Sequence, residues 1–141
     1  FIMQAGLYFD GSSFDKGRRG GPGPSSGAAV LIAADGSTQQ DSVFIARSES
    51  TCAEFLGLIC GLRLALENGV RDVSIYGDSR IVIDAILGLK LPKKIELNAL
   101  REESLALLDE FDRWTLQWIP RRKNFLADQA ARRCLVARPS L

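Results

Sequence analysis

The hydrophobic period changes once along this chain, and that change limits the folds it can adopt. Up to residue 47, apolar residues come in short runs of strand length: 5–11, 28–34 and 41–47. The run 5–11 carries apolar side chains on both faces, as a central strand does. Ser12 to Gly27 is polar and glycine-rich, and its Gly20-Gly21-Pro22-Gly23-Pro24 core excludes a helix or an inner strand. Asp35-Gly36 marks a hairpin between the second and third runs. Three successive strands predict an antiparallel meander.

After residue 50 the period becomes helical. Phe55, Leu58, Ile59, Leu62 and Leu66 predict an amphipathic helix over 52–68, with Ser50 or Thr51 as its cap and Asn68-Gly69 as its end. A strand follows over 72–77, then helices over 79–88 and 96–111, a strand over 114–119 stopped by Pro120, and a last helix over 123–136. The order βββαβααβα predicts an α/β fold: a mixed five-stranded sheet, antiparallel meander then parallel strands, flanked by helices. Trp114 and Trp118, four apart on a strand, share a face and are read as core.

With 141 residues the chain makes one domain over 1–141, and its first residue, Phe1, fits a piece excised from a larger protein. Phe1-Ile2-Met3-Gln4 has none of the make-up of a secretory signal, and no apolar run reaches the roughly 18 residues of a membrane span. Three cysteines without metal-ligand spacing point to unpaired thiols in a reducing, intracellular compartment. The absence of histidine removes Ser/His and Cys/His catalysis, His-ligated zinc and a histidine base. Chemistry falls to carboxylates, Lys, Arg, hydroxyls or thiols.

Of the 17 acidic residues, four stand in unusual places. Asp10 ends the apolar first strand and Asp78 ends the fourth, where an uncompensated carboxylate is costly. Strand ends are a common place for sites in such sheets. Glu54 falls in the first turn of the first helix, and Asp128 follows a basic run in the last. Each also has a plain alternative: Asp10 and Asp78 as turn caps, Glu54 as a helix-dipole charge, Asp128 as the partner of Arg132. Together they suit hard divalent cations with oxygen ligands, and two such cations about 4 Å apart can clamp a phosphodiester.

These residues resemble a known family, type 1 ribonuclease H. Tyr8-Phe9-Asp10-Gly11-Ser12 is similar to its first-strand aspartate motif and Thr51-Cys52-Ala53-Glu54 to its Ala-Glu motif. Gly77-Asp78-Ser79 is similar to its Asp-Ser motif, and Arg121-Arg122-Lys123-Asn124-Phe125-Leu126-Ala127-Asp128 to its Asn-x-x-Ala-Asp motif. The resemblance spans about Leu7 to Ala137 and implies endonucleolytic cutting of the RNA strand of RNA–DNA hybrids, leaving 3′-hydroxyl and 5′-phosphate ends. It implies two Mg²⁺ ions, with Mn²⁺ as a substitute, held by Asp10, Glu54, Asp78 and Asp128. It also implies substrate contacts from Gly11, Ser12, Ser50, Thr51, Ser79, Arg121 and Asn124. A monomeric domain, with a reverse transcriptase domain in cis, is the setting a retroelement member would have. A hybrid-binding module with weak catalysis, within a retroelement polyprotein, is the alternative.

Three departures from the family pattern stand out. Ser50 and Thr51 occupy positions usually held by amides that reach the minor groove. No histidine precedes the last helix, as in the archaeal-like branch, and Arg121 is the nearest substitute. The 15–26 segment is long, and its Arg18 and Arg19 fit a solvated loop better than a nucleic-acid contact, the other reading open to them. Phosphate contacts would come from Lys93, Lys94, Arg121, Arg122 and Lys123, with Lys90, Lys93 and Lys94 in place of a basic helix-loop.

Overall fold

A computed structural model describes residues 3–15, 18–19 and 21–136, the side chains of 15, 18 and 19 excepted. Strand β1 (Gln4–Asp15) pairs antiparallel with β3 (Gly23–Ala33), which pairs antiparallel with β4 (Thr38–Ser48). Between β1 and β3 lies the two-residue β2 (Arg18–Arg19), paired with the end of β1. The chain then forms α1 (Ser50–Glu67), β5 (Asp72–Gly77), α2 (Arg80–Ile86), α3 (Ile95–Leu108) and β6 (Arg113–Trp118). A 3₁₀ turn (Arg121–Lys123) leads into α4 (Phe125–Val136). Sheet order is β4-β3-β1-β5-β6, with β5 parallel to β1 and β6 parallel to β5. The predicted mixed sheet is present, with β2 as a sixth strand beside its five principal ones.

Alternation along the strands divides the core. Leu7, Phe9, Ala29 and Leu31 face α1, α2 and α3, meeting Phe55, Leu58, Leu62, Val82 and Leu108 in the main cluster. Ala28 and Val30, on the other face of β3, pack on Ala130 and Ala131 of α4. Trp114 and Trp118 lie half-buried against the main cluster.

The glycine-rich segment departs from the sequence expectation. Gly23 and Pro24 begin β3, an inner strand, and the pairing with β4 is irregular between Gly23 and Ser25, a place where a sheet accepts proline. Polar side chains are tolerated there because their hydroxyls are bonded. Those of Ser13 and Ser25 lie 2.8 Å apart and both reach the Ser48 carbonyl, while Ser26 donates to the Ala131 carbonyl at 2.5 Å, tying β3 to α4.

Helix α1 starts two residues earlier than its period indicates. Glu49 is its N-cap and makes no side-chain cap bond, so neither Ser50 nor Thr51 caps it. At the other end the Asn68 amide donates to the Leu64 carbonyl and Gly69 takes φ +76°, as expected of a helix stop. The last helix is likewise preceded by a separate 3₁₀ turn.

Small residues let α1 lie directly on the sheet. Ala53, Gly57 and Gly61 form a stripe at four-residue spacing, facing Gly11, Gly27 and Ala29. A Cβ on Gly57 would meet the Asp10 carbonyl and the Ala28 backbone; one on Gly11 would meet the backbone of Ala53 and Glu54. Alanine gains about 1 kcal/mol over glycine in helix propensity, whereas overpacking a core costs about 1–3 kcal/mol. The opposing atoms at Gly57 are backbone and cannot rotate away, so the clash wins. Gly57→Ala is expected to lower the unfolding free energy and to reduce metal affinity together, read by chemical denaturation and by the thermal shift with Mn²⁺.

Candidate metal centre and active site

Three chain segments converge at one end of the sheet. Asp10 is directly opposite Ala28 and so points to the α4 face, whereas Glu54 comes from a helix on the other face. They meet because β5 is short: its last pair with β1 is Tyr8↔Tyr76, and past it the β1 flank is no longer covered by β5. Asp78 follows immediately at the end of β5. Each of Asp10, Glu54 and Asp78 offers a carboxylate oxygen within 4.8 Å of the others. Glu54 lies beyond the first turn of α1, contrary to the sequence expectation, so the helix dipole does not account for its position.

Asn124 closes the gap. Buried to 1% exposure, it donates its amide to the Phe9 carbonyl at 2.9 Å, a group no β5 residue reaches. The Trp118 indole N–H donates to the Asp78 carbonyl at 3.1 Å, and its ring lies 4.1 Å beneath the Arg80 guanidinium. Ser79 caps α2, accepting from Val82 N–H at 3.3 Å.

The electrostatics are those of a centre that wants a cation. Burial foremost, then the Asp78 charge, pushes Asp10 up to about 8, against a bond from Gly11 N–H at 2.8 Å. Burial and Asp78 push Glu54 up to about 7, opposed by the Ser79 hydroxyl and Arg121. Asp78 is also raised, by burial, with the Asn124 amide and Arg121 opposing. One buried oxygen of Asp78, Oδ2, has no hydrogen-bond partner among the described residues. Crowded, orphaned carboxylate oxygens are the donor set of a hard divalent cation.

Asp128, the fourth sequence candidate, lies outside the triad. It pairs with Arg132 at 3.1 Å, the plain alternative open to it, yet its charge also raises Asp10 and Asp78. Of the substrate-contact candidates, Gly11 lies against the α1 backbone, while Ser12, Ser79 and Asn124 are buried. Ser50 and Thr51 sit half-buried in the first turn of α1, and Arg121 is exposed. The side chains of Arg18 and Arg19 lie outside the described residues. The cysteines Cys52, Cys60 and Cys134 are unpaired, as expected. No helix among the described residues is long and apolar enough to cross a membrane. Sequence reasoning missed Glu49, Arg80 and the stripe under Glu54; only the stripe left a signal, as small residues four apart in an otherwise bulky helix.

Asp10 lies within β1 and does not end it, as its apolar run suggested, because the strand continues to Asp15. A meander joined to parallel strands, with carboxylates gathered where β5 ends beside the middle of β1, defines a ribonuclease H-like protein. Residues 13–134 match the family described as reverse transcriptase-like. The Bifunctional protein Rv2228c of Mycobacterium tuberculosis is 35% identical over 119 residues, covering 83% of this chain and 33% of that protein. The Ribonuclease HI of Halobacterium salinarum is 33% identical over 129 residues, covering 91% of this chain and 62% of that protein. The chain thus spans less than two thirds of these relatives. The solved N-terminal RNase H domain of rv2228c superposes with a TM-score of 0.87 at 31% identity, over 96% of this chain and 95% of that one. RNase H1 from Halobacterium salinarum gives 0.88 at 30%, over 96% and 99%. The chain belongs to the ribonuclease H-like family, in the group described as reverse transcriptase-like.

The raised carboxyls fix the sign of a pH effect. Their folded-state pKa values exceed the unfolded ones, so their contribution to stability is intact below about pH 4 and is lost as the pH rises through about 7 to 8. Thermal unfolding in EDTA should show a Tm that falls across this window. Mg²⁺ should restore it most at the upper end, and Asp10→Asn should flatten the EDTA curve.

Proposed function

We propose that this chain is a metal-dependent endoribonuclease that hydrolyses the RNA strand of RNA–DNA hybrids. The observation that carries this reading is the triad Asp10, Glu54 and Asp78, with oxygens within 4.8 Å of one another in a chain of this family. The names of the relatives, a ribonuclease HI and an RNase H domain, support the same activity.

Asp10, Glu54 and Asp78 would hold the cation, with Asp128 completing a site for two Mg²⁺ ions that also accepts Mn²⁺. When bound, the metal supplies positive charge for the phosphodiester and lowers the pKa of a coordinated water. The protein supplies the arrangement. The stripe under α1 places Glu54, and Gly11 N–H fixes the Asp10 carboxyl. Asn124 and Trp118 brace the middle of β1 and the end of β5 through the Phe9 and Asp78 carbonyls. Arg121, the cation felt by Glu54 and Asp78, would face an incoming phosphate. Ser50 and Thr51, in the first turn of α1, would offer hydroxyls to the 2′-hydroxyls of a minor groove, while the buried Ser79 acts on Glu54.

Cleavage of an end-labelled hybrid tests this reading. Mg²⁺-dependent products with 3′-hydroxyl ends are expected, and EDTA abolishes them. Asp10→Asn, Glu54→Gln and Asp78→Asn each lower the rate by at least about a hundredfold, the scale of losing a preorganised charge contact. Asp128→Asn, outside the triad, loses less. Full activity in Asp10→Asn or Asp78→Asn would refute the metal assignment.

A further inference from the structure

Beside the triad runs a groove of about 530 Å³ between the start of α1, the start of α2 and the link to α3. It adjoins the centre closely: Thr51 in its wall is one helical turn before Glu54, and Arg80 is two residues after Asp78. Arg80, Lys90, Lys93 and Lys94 line it, opposed by Glu49 and Asp84. Arg80 is held over the Trp118 ring, a contact through the face of its guanidinium that leaves its N–H donors available. Its four cations outnumber its two carboxylates, which gives the groove the charge for a nucleic-acid backbone.

One side chain works against that use. Glu49 is the N-cap residue of α1, a position where a side chain normally bonds the first helical N–H groups, yet it makes no such bond. Its carboxylate instead crosses the groove to Lys94, Oε2 to Nζ at 2.6 Å. Both partners are more than half exposed, so the pair is weak and opens readily. A carboxylate and a phosphate present the same thing to an ammonium group: anionic oxygen acceptors at hydrogen-bonding distance.

We propose that Glu49 is a built-in competitor for backbone phosphates, holding Lys94 in the groove and setting how tightly and how salt-dependently the enzyme binds its nucleic-acid substrate. This rests on the ribonuclease reading above and adds an affinity-determining residue outside the metal centre. Each phosphate that engages Lys94 must first displace Glu49, so the cation contributes less to binding than its neighbours do.

The test is hybrid binding by fluorescence anisotropy over a salt series, in an Asp10→Asn background that does not cut, with kcat and KM measured in the parent chain. Glu49→Gln is expected to tighten binding about three- to fivefold at low salt, the scale of one exposed ion pair. The slope of log K against log salt should steepen by about 0.7–0.9, that of one further neutralised phosphate. KM should fall with kcat unchanged. Glu49→Ser, which restores a helix cap, should do the same. Lys94→Gln should cost little in the parent and abolish the gain in Glu49→Gln. If both Glu49 variants bind with the parent's affinity and slope, or more weakly, the pair is merely structural and the proposal fails alone. If no protein binds hybrid and the parent cuts none, the functional reading fails with it.

Discussion

The structure depends on how closely α1 approaches the sheet. Ala53 and Gly57 place helix backbone against strand backbone at Gly11, Gly27 and Ala28, and Gly61 leaves room for the Ala29 methyl and the Leu7 side chain. At ordinary helix–sheet separation, set by side chains such as Leu58 and Leu62, Glu54 would start farther from Asp10. The stripe thus serves the core and the site at once. It excludes water along the middle of the sheet, and it brings a carboxylate from one face of the sheet to an aspartate that points to the other.

That meeting needs a gap in the sheet, which the unequal strand lengths provide. β1 runs to Asp15, but β5 stops at Gly77. The open flank of β1 would leave the Phe9 carbonyl bare, and Asn124, arriving from beyond β6, bonds it. Trp118 does the same for Asp78 from the neighbouring strand. The acidic centre is thus held by neutral donors to backbone oxygens. Burial, only partly opposed by Gly11 N–H, the Ser79 hydroxyl and the Asn124 amide, keeps the carboxyl pKa values high, and Asp78 Oδ2 is left without a partner among the described residues. Arg121 moderates this from outside without pairing with the triad tightly enough to neutralise it. The strain of crowded anions is tolerated because the surrounding contacts are those of a well-packed core.

Much of this was legible in the amino-acid order. The switch from strand-length runs to helical spacing after residue 50 marked the meander, the helices and the parallel strands, because burial of one face imposes a period of 2 or 3.6 on any chain. The carboxylates Asp10 and Asp78 stood out because each ends an apolar run, although β1 itself continues to Asp15. Boundaries were less legible. The Ser12–Gly27 segment looks like a loop by composition, yet β1 and β3 extend into it, since hydroxyls of Ser13, Ser25 and Ser26 are bonded to backbone carbonyls distant in sequence. Polar composition signals exposure only when no partner is at hand, and the partners here are supplied by tertiary structure.

The sequence by itself therefore determined the order of elements, the lack of any histidine and the set of carboxylates available for chemistry. It determined too that the first-helix stripe would be small. Only the tertiary structure decided which carboxylates meet. Asp10, Glu54 and Asp78 come together across 44 and 24 positions of chain, while Asp128, equally prominent in its motif, pairs with Arg132 and reaches Asp10 and Asp78 through its charge. It alone decided that Glu49 spans the groove to Lys94 instead of capping its helix. The reason is the same in each case: local order fixes period and propensity, but distances between distant segments follow from how closely packed backbones can come.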